Sequence, residues 1–141
     1  MFAPVSQHLR RAALALALSA GACMAQASTL HVELDTSGWT GSDGYLDLQF
    51  NPSNVNSALA SALVSALSGI TADAPVLTGD VQAQAGGADK FTNSSDFSDL
   101  FQSVHFGGKV SFNVNFSGAA GSAALRCRSR ASPLACTVAM A

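Results

Sequence analysis

Two acids, Glu33 and Asp35, are the first groups along the chain with the means to do chemistry. On a strand, positions i and i+2 share a face, and paired carboxylates divide the roles of acid and base in glycoside hydrolysis. The same spacing arises wherever a strand turns a polar face to water, so no catalytic residue is assigned. Asp35, Asp43 and Asp47 surround a Gly-rich stretch and could offer hard oxygen ligands to a calcium ion, but their spacing does not match a compact calcium loop. His31 and His105 lack metal-ligand spacing, and no metal site or cofactor is expected. Trp39 and Tyr45 flank the same Gly-rich stretch. Their rings suit stacking on a sugar, or equally the anchoring of a hairpin. They are the ligand-binding candidates. Cys127 and Cys136 are a candidate disulfide pair; without a Cys-x-x-Cys they support neither redox catalysis nor zinc. There is no Gly-x-Ser-x-Gly elbow. Asn93-Ser94-Ser95 matches a glycosylation sequon, a pattern of low specificity. These groups together point away from an enzyme.

Residues 1–27 read as a secretory leader. His8, Arg10 and Arg11 precede the apolar run AALALALSAGACMA, no acid occurs before Glu33, and Ala25-Gln26-Ala27 supplies the small residues of a signal peptidase site. Cleavage is expected between Ala27 and Ser28. The surroundings of Arg10-Arg11 lack most of the twin-arginine context. Ala20 stands where a lipobox carries a large aliphatic residue, so Cys23 falls in the removed peptide. The expected partners at this stage are signal peptidase and the export machinery.

The elements that would position the remaining groups follow from composition and periodicity. The chain has 141 residues, 48% apolar and 11% charged. That suits one domain of ordinary size and excludes a charged disordered polymer. No stable membrane span is expected in the mature chain, which has no run of eighteen apolar residues. After removal of the leader, five Lys and Arg face nine acids, a formal charge of −4, so nucleic acid is not an expected partner.

Leu30, Val32 and Leu34 alternate with polar residues, as do Leu46, Leu48 and Phe50, and again Val110, Phe112, Val114 and Phe116. This is the pattern of half-buried antiparallel strands, apolar side chains inward. TSGWTGSDG between the first two sets suggests a hairpin, and Gly107-Gly108 a second one. Pro75–Val81 and Asp89–Thr92 are weaker strand candidates. Within residues 55–68, Leu59, Leu63 and Leu67 recur every four residues among alanines, which predicts a helix ended by Gly69. A second short helix is predicted over Asp96–Gln102, capped by Ser94 or Ser95, with Phe97, Leu100 and Phe101 inward. From Leu125 the vocabulary changes at once: three Arg and both late Cys crowd into seventeen residues. Residues 125–141 therefore read as an irregular basic tail or a frame-shifted end that adds little to the fold.

The stretch STLHVELDTSGWTGSDGYLDLQFNP, with LTGDV and FTNSSDFSDLFQSVHFGGKVSFNVNFSG further on, resembles a group of exported bacterial proteins, the PEP-CTERM proteins. The resemblance spans about residues 28–118. It implies a β-rich secreted or surface protein, sorted by a C-terminal Pro-Glu-Pro, hydrophobic helix and basic end through an exosortase. It also implies a strand over 58–68, against the local helix signal. The chain departs from the pattern after Gly118: Ser132-Pro133-Leu134 is no substitute for Pro-Glu-Pro, which puts surface anchoring and completion of the sheet in doubt.

The expectation is thus a leader (1–27), a mainly β, antiparallel sandwich-like domain (28–124) with one or two short helices, truncated if the end is aberrant, and the tail (125–141). The expected role is an exported structural or interaction protein, secreted or periplasmic, with extracellular polysaccharide or other matrix components as partners. The alternative is a carbohydrate-binding module using Trp39 and Tyr45.

Overall fold

The computed structural model describes residues 29–119, 123–129 and 135–139. The expected leader and its cleavage point between Ala27 and Ser28 lie outside the described residues. The chain forms two antiparallel five-stranded sheets. The strands are β1 (Thr29–Asp35), β2 (Asp43–Pro52), β3 (Ala60–Ser68), β4 (Val76–Thr78), β5 (Val81–Gln84), β6 (Ala88–Thr92), β7 (Asp99–His105), β8 (Lys109–Gly118), β9 (Ala123–Ser129) and β10 (Ala135–Ala139). The first sheet runs β1-β8-β3-β6-β5 and the second β10-β9-β2-β7-β4. The expected mainly β, sandwich-like class is what the molecule shows. Among the described residues no helix is long and apolar enough to cross a membrane.

One core lies between the sheets. Phe112, Val114, Ala62, Val64 and Phe91 from the first meet Leu46, Leu48, Phe50, Leu100, Val104 and Leu125 from the second. The alternation read in β2 and β8 holds: their apolar positions point inward, Phe116 only partly buried. On β1, which edges its sheet, Val32 and Leu34 pack on the core but Leu30 stays 38% exposed.

Neither expected hairpin forms. β1 pairs with β8 and β2 with β7 and β9, so both Gly-containing stretches cross from one sheet to the other. The buried Thr36 ties the two crossings together. Its hydroxyl donates to Gly108 O (2.7 Å) and accepts from Gly107 N (3.2 Å) and Gly108 N (3.3 Å). The Thr36 N–H also donates to Gly108 O (2.8 Å), so backbone and side chain together satisfy polar groups at the crossing.

Both predicted helices are strands; the only helical piece among the described residues is a single 3-10 turn over Ser37–Trp39. Residues 60–68 are β3, hydrogen-bonded to β8 on one side and β6 on the other. A central place with two paired edges outweighs the high helix propensity of an Ala-rich segment, because tertiary pairing overrides local preference. The leucines that suggested one helical face go to three environments: Leu59 is 68% exposed, Leu63 is half-buried, and Leu67 packs on the core. Ala60, Ala62 and Val64 point inward with period two. The register then shifts between Ser65 and Ser68, where Ala66 takes a left-handed backbone conformation (φ 52°). This extra residue inverts the alternation and brings Leu67 to the core side in place of Ala66 and Ser68.

The second predicted helix, Asp96–Gln102, gives way to β7. Leu100, Gln102 and Val104 point inward, Phe101 points outward and Phe97 is 45% exposed. Gln102 is the reason the strand period is hard to see: it is a polar residue at an inward position.

The boundary expected at Leu125 falls inside β9. This strand pairs with β2 on one side and β10 on the other, and Leu125 and Cys127 are core residues. Residues 125–129 and 135–139 are therefore parts of the second sheet, not an irregular tail. Cys127 is disulfide-bonded, and the register sets Cys136 directly across from it.

Candidate functional site

The sequence candidates do not converge on one place. Glu33 and Asp35 share the outer face of β1, but each is engaged. Glu33 pairs with Lys109 (2.7 Å), and Asp35 accepts the backbone N–H of Ser37 (2.9 Å). Ser37 holds the Asp35 carboxyl below its ordinary range, and the Glu33 contact pushes the Lys109 ammonium up. Asp35 lies in the first sheet, Asp43 and Asp47 in the second. Asp43 is exposed, whereas Asp47 is buried with Gln49 Nε2 donating to it (3.1 Å). Among the described residues no group of three or more His, Cys, Asp or Glu could hold a metal ion.

The histidines also sit on different sheets. His31 Nδ1 meets Asn113 Oδ1 (2.9 Å), and His105 Nδ1 meets Asp43 Oδ1 (2.6 Å). Trp39 and Tyr45 part company too. Trp39 belongs to the 3-10 turn and packs against the core. Tyr45 stands on the outer face of β2. The sequon residue Asn93 is buried; its amide spans the start of β3, accepting from Ala60 N (2.8 Å) and donating to Ala58 O (3.0 Å).

The outer face of the first sheet satisfies much of its own polarity. Thr29 donates to Asn115 (2.6 Å), Ser61 meets Ser117 (2.7 Å) and Ser68 meets Ser111 (2.8 Å). A small depression of about 190 Å³ lies on this side between Leu59, Lys90 and Ser117.

The second sheet offers a larger and chemically mixed cleft of about 410 Å³, within the ~300–1,000 Å³ of ordinary ligand sites. Its lining includes Asp43 and Tyr45 from β2, Ser103 from β7, and Thr71 and Asp73 from the β3–β4 loop. Pairing puts Tyr45 opposite Ser103 and Asp43 opposite His105. The Tyr45 ring lies against Phe101, centroids 4.5 Å apart and planes 20° apart. Offset stacking of this kind adds stability beyond area and fixes the ring.

The loop that brings Thr71 and Asp73 to the cleft is anchored. Gly69 starts it at φ 73°, and a Cβ there would sit 2.1 Å from Lys109 O, so the turn requires glycine. Thr71 N donates to Ser103 O (3.1 Å), and Thr71 Oγ1 donates to Asp73 Oδ2 (2.9 Å). The buried Gln102 donates its amide to Asp73 O (3.1 Å) and Thr71 O (3.4 Å). The inward Gln102 thus serves the loop at the cleft.

Of this constellation the sequence pointed only to Tyr45 and, as a loop acid, Asp43. Phe101 is hidden by the helix assignment over Asp96–Gln102, and Ser103 falls just beyond it; as parts of β7 the two alternate onto the face of Tyr45. Asp73 and Thr71 carry no local signal, because only the fold brings their loop to β7. Comparison with family models, curated proteins and solved structures found no match.

Proposed function

We propose that the chain is an exported, non-enzymatic interaction module that binds polysaccharide through the Tyr45 cleft. The observation that carries this reading is the Tyr45 ring, backed by Phe101 and facing a cleft of hydroxyl and carboxyl groups. A fixed aromatic plane takes the apolar face of a pyranose at little entropic cost, and flanking oxygens take its hydroxyls. Trp39, occupied with the core, has no part in it.

Several facts favour binding without turnover. Glu33 and Asp35 are spent on Lys109 and Ser37. The Asp43–His105 pair is strongly exposed, with 85% and 67% of the side chains accessible, and no hydroxyl is hydrogen-bonded to the imidazole among the described residues. A nucleophile–base pair needs such a contact. Export is supported by the leader-like residues 1–27 and by a disulfide-bonded Cys127, since disulfides persist in oxidising compartments. The resemblance to PEP-CTERM proteins accords with a secreted or surface component.

The test is saturable binding of the secreted chain to a panel of bacterial polysaccharides, read by affinity electrophoresis and calorimetry. Tyr45→Ala should abolish it while the melting curve and circular dichroism persist. No binding to any member, or full binding by Tyr45→Ala, would overturn the reading.

A further inference from the structure

From the charge of the cleft, and resting on the reading above, we infer that the preferred ligand is a polysaccharide with free amino groups, a polymer of hexosamine units that are not N-acetylated. The two charged side chains in the lining are both carboxylates, Asp43 and Asp73; no Lys or Arg among the described residues lines it. Each carboxylate has one oxygen committed inside the protein. Asp73 Oδ2 accepts from Thr71 Oγ1, and Asp43 Oδ1 meets His105 Nδ1. The second oxygen of each remains for a ligand. The two acids come from different elements, β2 and the β3–β4 loop, with Tyr45 and Ser103 also in the lining. A sugar ring laid on Tyr45 would therefore have two carboxylates among its neighbours.

This arrangement repels uronate polymers and leaves neutral sugars without a charge partner. An ammonium on the ring gains charge-assisted hydrogen bonds from either acid. The aromatic plane and the neighbouring hydroxyls of Thr71 and Ser103 favour a sugar over a basic peptide, which would need the carboxylates alone. The surroundings reinforce the sign, because the mature chain is acidic overall.

Calorimetry of the full exported chain with glucosamine oligomers, N-acetylglucosamine oligomers, oligouronate and oligolysine tests the inference. Glucosamine oligomers should bind about five- to tenfold tighter than the N-acetylated ones, the scale of two partly exposed ion pairs, and oligouronate should not bind. Asp73→Asn keeps an acceptor for Thr71 and should lower the preference, weakening glucosamine oligomers more than N-acetylated ones. Asp43→Asn should act in the same direction. Equal affinity for the two oligomers would overturn the inference while leaving saccharide binding intact. Tighter binding of oligolysine than of any saccharide would overturn it in favour of a peptide. Failure of every saccharide would remove both the inference and the reading it rests on.

Discussion

Cys127 on β9 stands directly across from Leu48 on β2, and both side chains are sealed inside the sandwich, 2% and 0% exposed. The pairing joins one of the earliest strands to the stretch that looks least like a domain. Removing everything after Ala124 deletes Leu125, Cys127 and all of β10, and strips β2 of its partner along one edge. Such a truncation should abolish cooperative melting and leave the remainder prone to aggregation through the bared edge of β2. A truncated chain that melts like the untruncated one would contradict the assigned place of β9.

Phe112 is fully buried at the centre of β8, while the side chain of Asn113 beside it faces outward and bonds to His31. Phe112→Ala should cost ~3–5 kcal/mol, enough to unfold most small domains. Asn113→Ala should cost about 0.5 kcal/mol or less, as one exposed hydrogen bond. Denaturant midpoints of the two variants measure the difference.

Ala66 is the one described non-glycine residue with a positive φ, at the register shift of β3, and it is exposed. A left-handed conformation costs an L-residue ~1–2 kcal/mol, and glycine loses ~0.5–1 kcal/mol of chain entropy relative to alanine. Ala66→Gly should therefore stabilise by up to about 1 kcal/mol, and Ala66→Val should destabilise. Thermal melts of both variants test the geometry of the bulge.

Asp89 lies on the same side of β6 as the buried Phe91, and partial burial raises its pKa. A carboxyl with a folded pKa above its unfolded one stabilises the fold most when protonated. Its contribution is complete below the unfolded value and is lost as pH rises through the folded one. Asp89→Asn should accordingly raise stability at neutral pH by a few tenths of a kcal/mol, about the size of a solvent-screened effect. The gain should vanish as pH falls below the carboxyl range. Melting curves across that range would show the variant and the parent converging in acid.

The strands whose inward residues are uninterrupted aliphatics and aromatics, β2 and β8, can be read from period alone. The others are obscured for identifiable reasons. In β3 the bulge at Ala66 breaks the period, and the spacing of Leu59, Leu63 and Leu67 imitates a helix. In β7 the inward Gln102 interrupts the apolar alternation, while Ser94 and Ser95 look like caps. In β9 the alternation of Leu125 and Cys127 with Arg126 is present, but the sudden basic composition distracts from it. Hairpin or crossover depends on partners distant in sequence: TSGWTGSDG has all the residues of a turn and leads to the other sheet. The cleft shares that limitation, since Tyr45 meets Ser103 through pairing and Asp73 through a loop.

The insertion of β9 between β2 and β10 also governs the order of events. Residues 43–52 emerge early and residues 123–129 late, yet they are neighbours in the second sheet. β1 likewise waits for β8. Such distant pairings slow folding, because loop closure precedes the contacts that reward it. A chain leaving a ribosome from its N-terminus would hold two half-made sheets until β8 and β9 arrive. Until then its unpaired strand edges depend on whatever shields them.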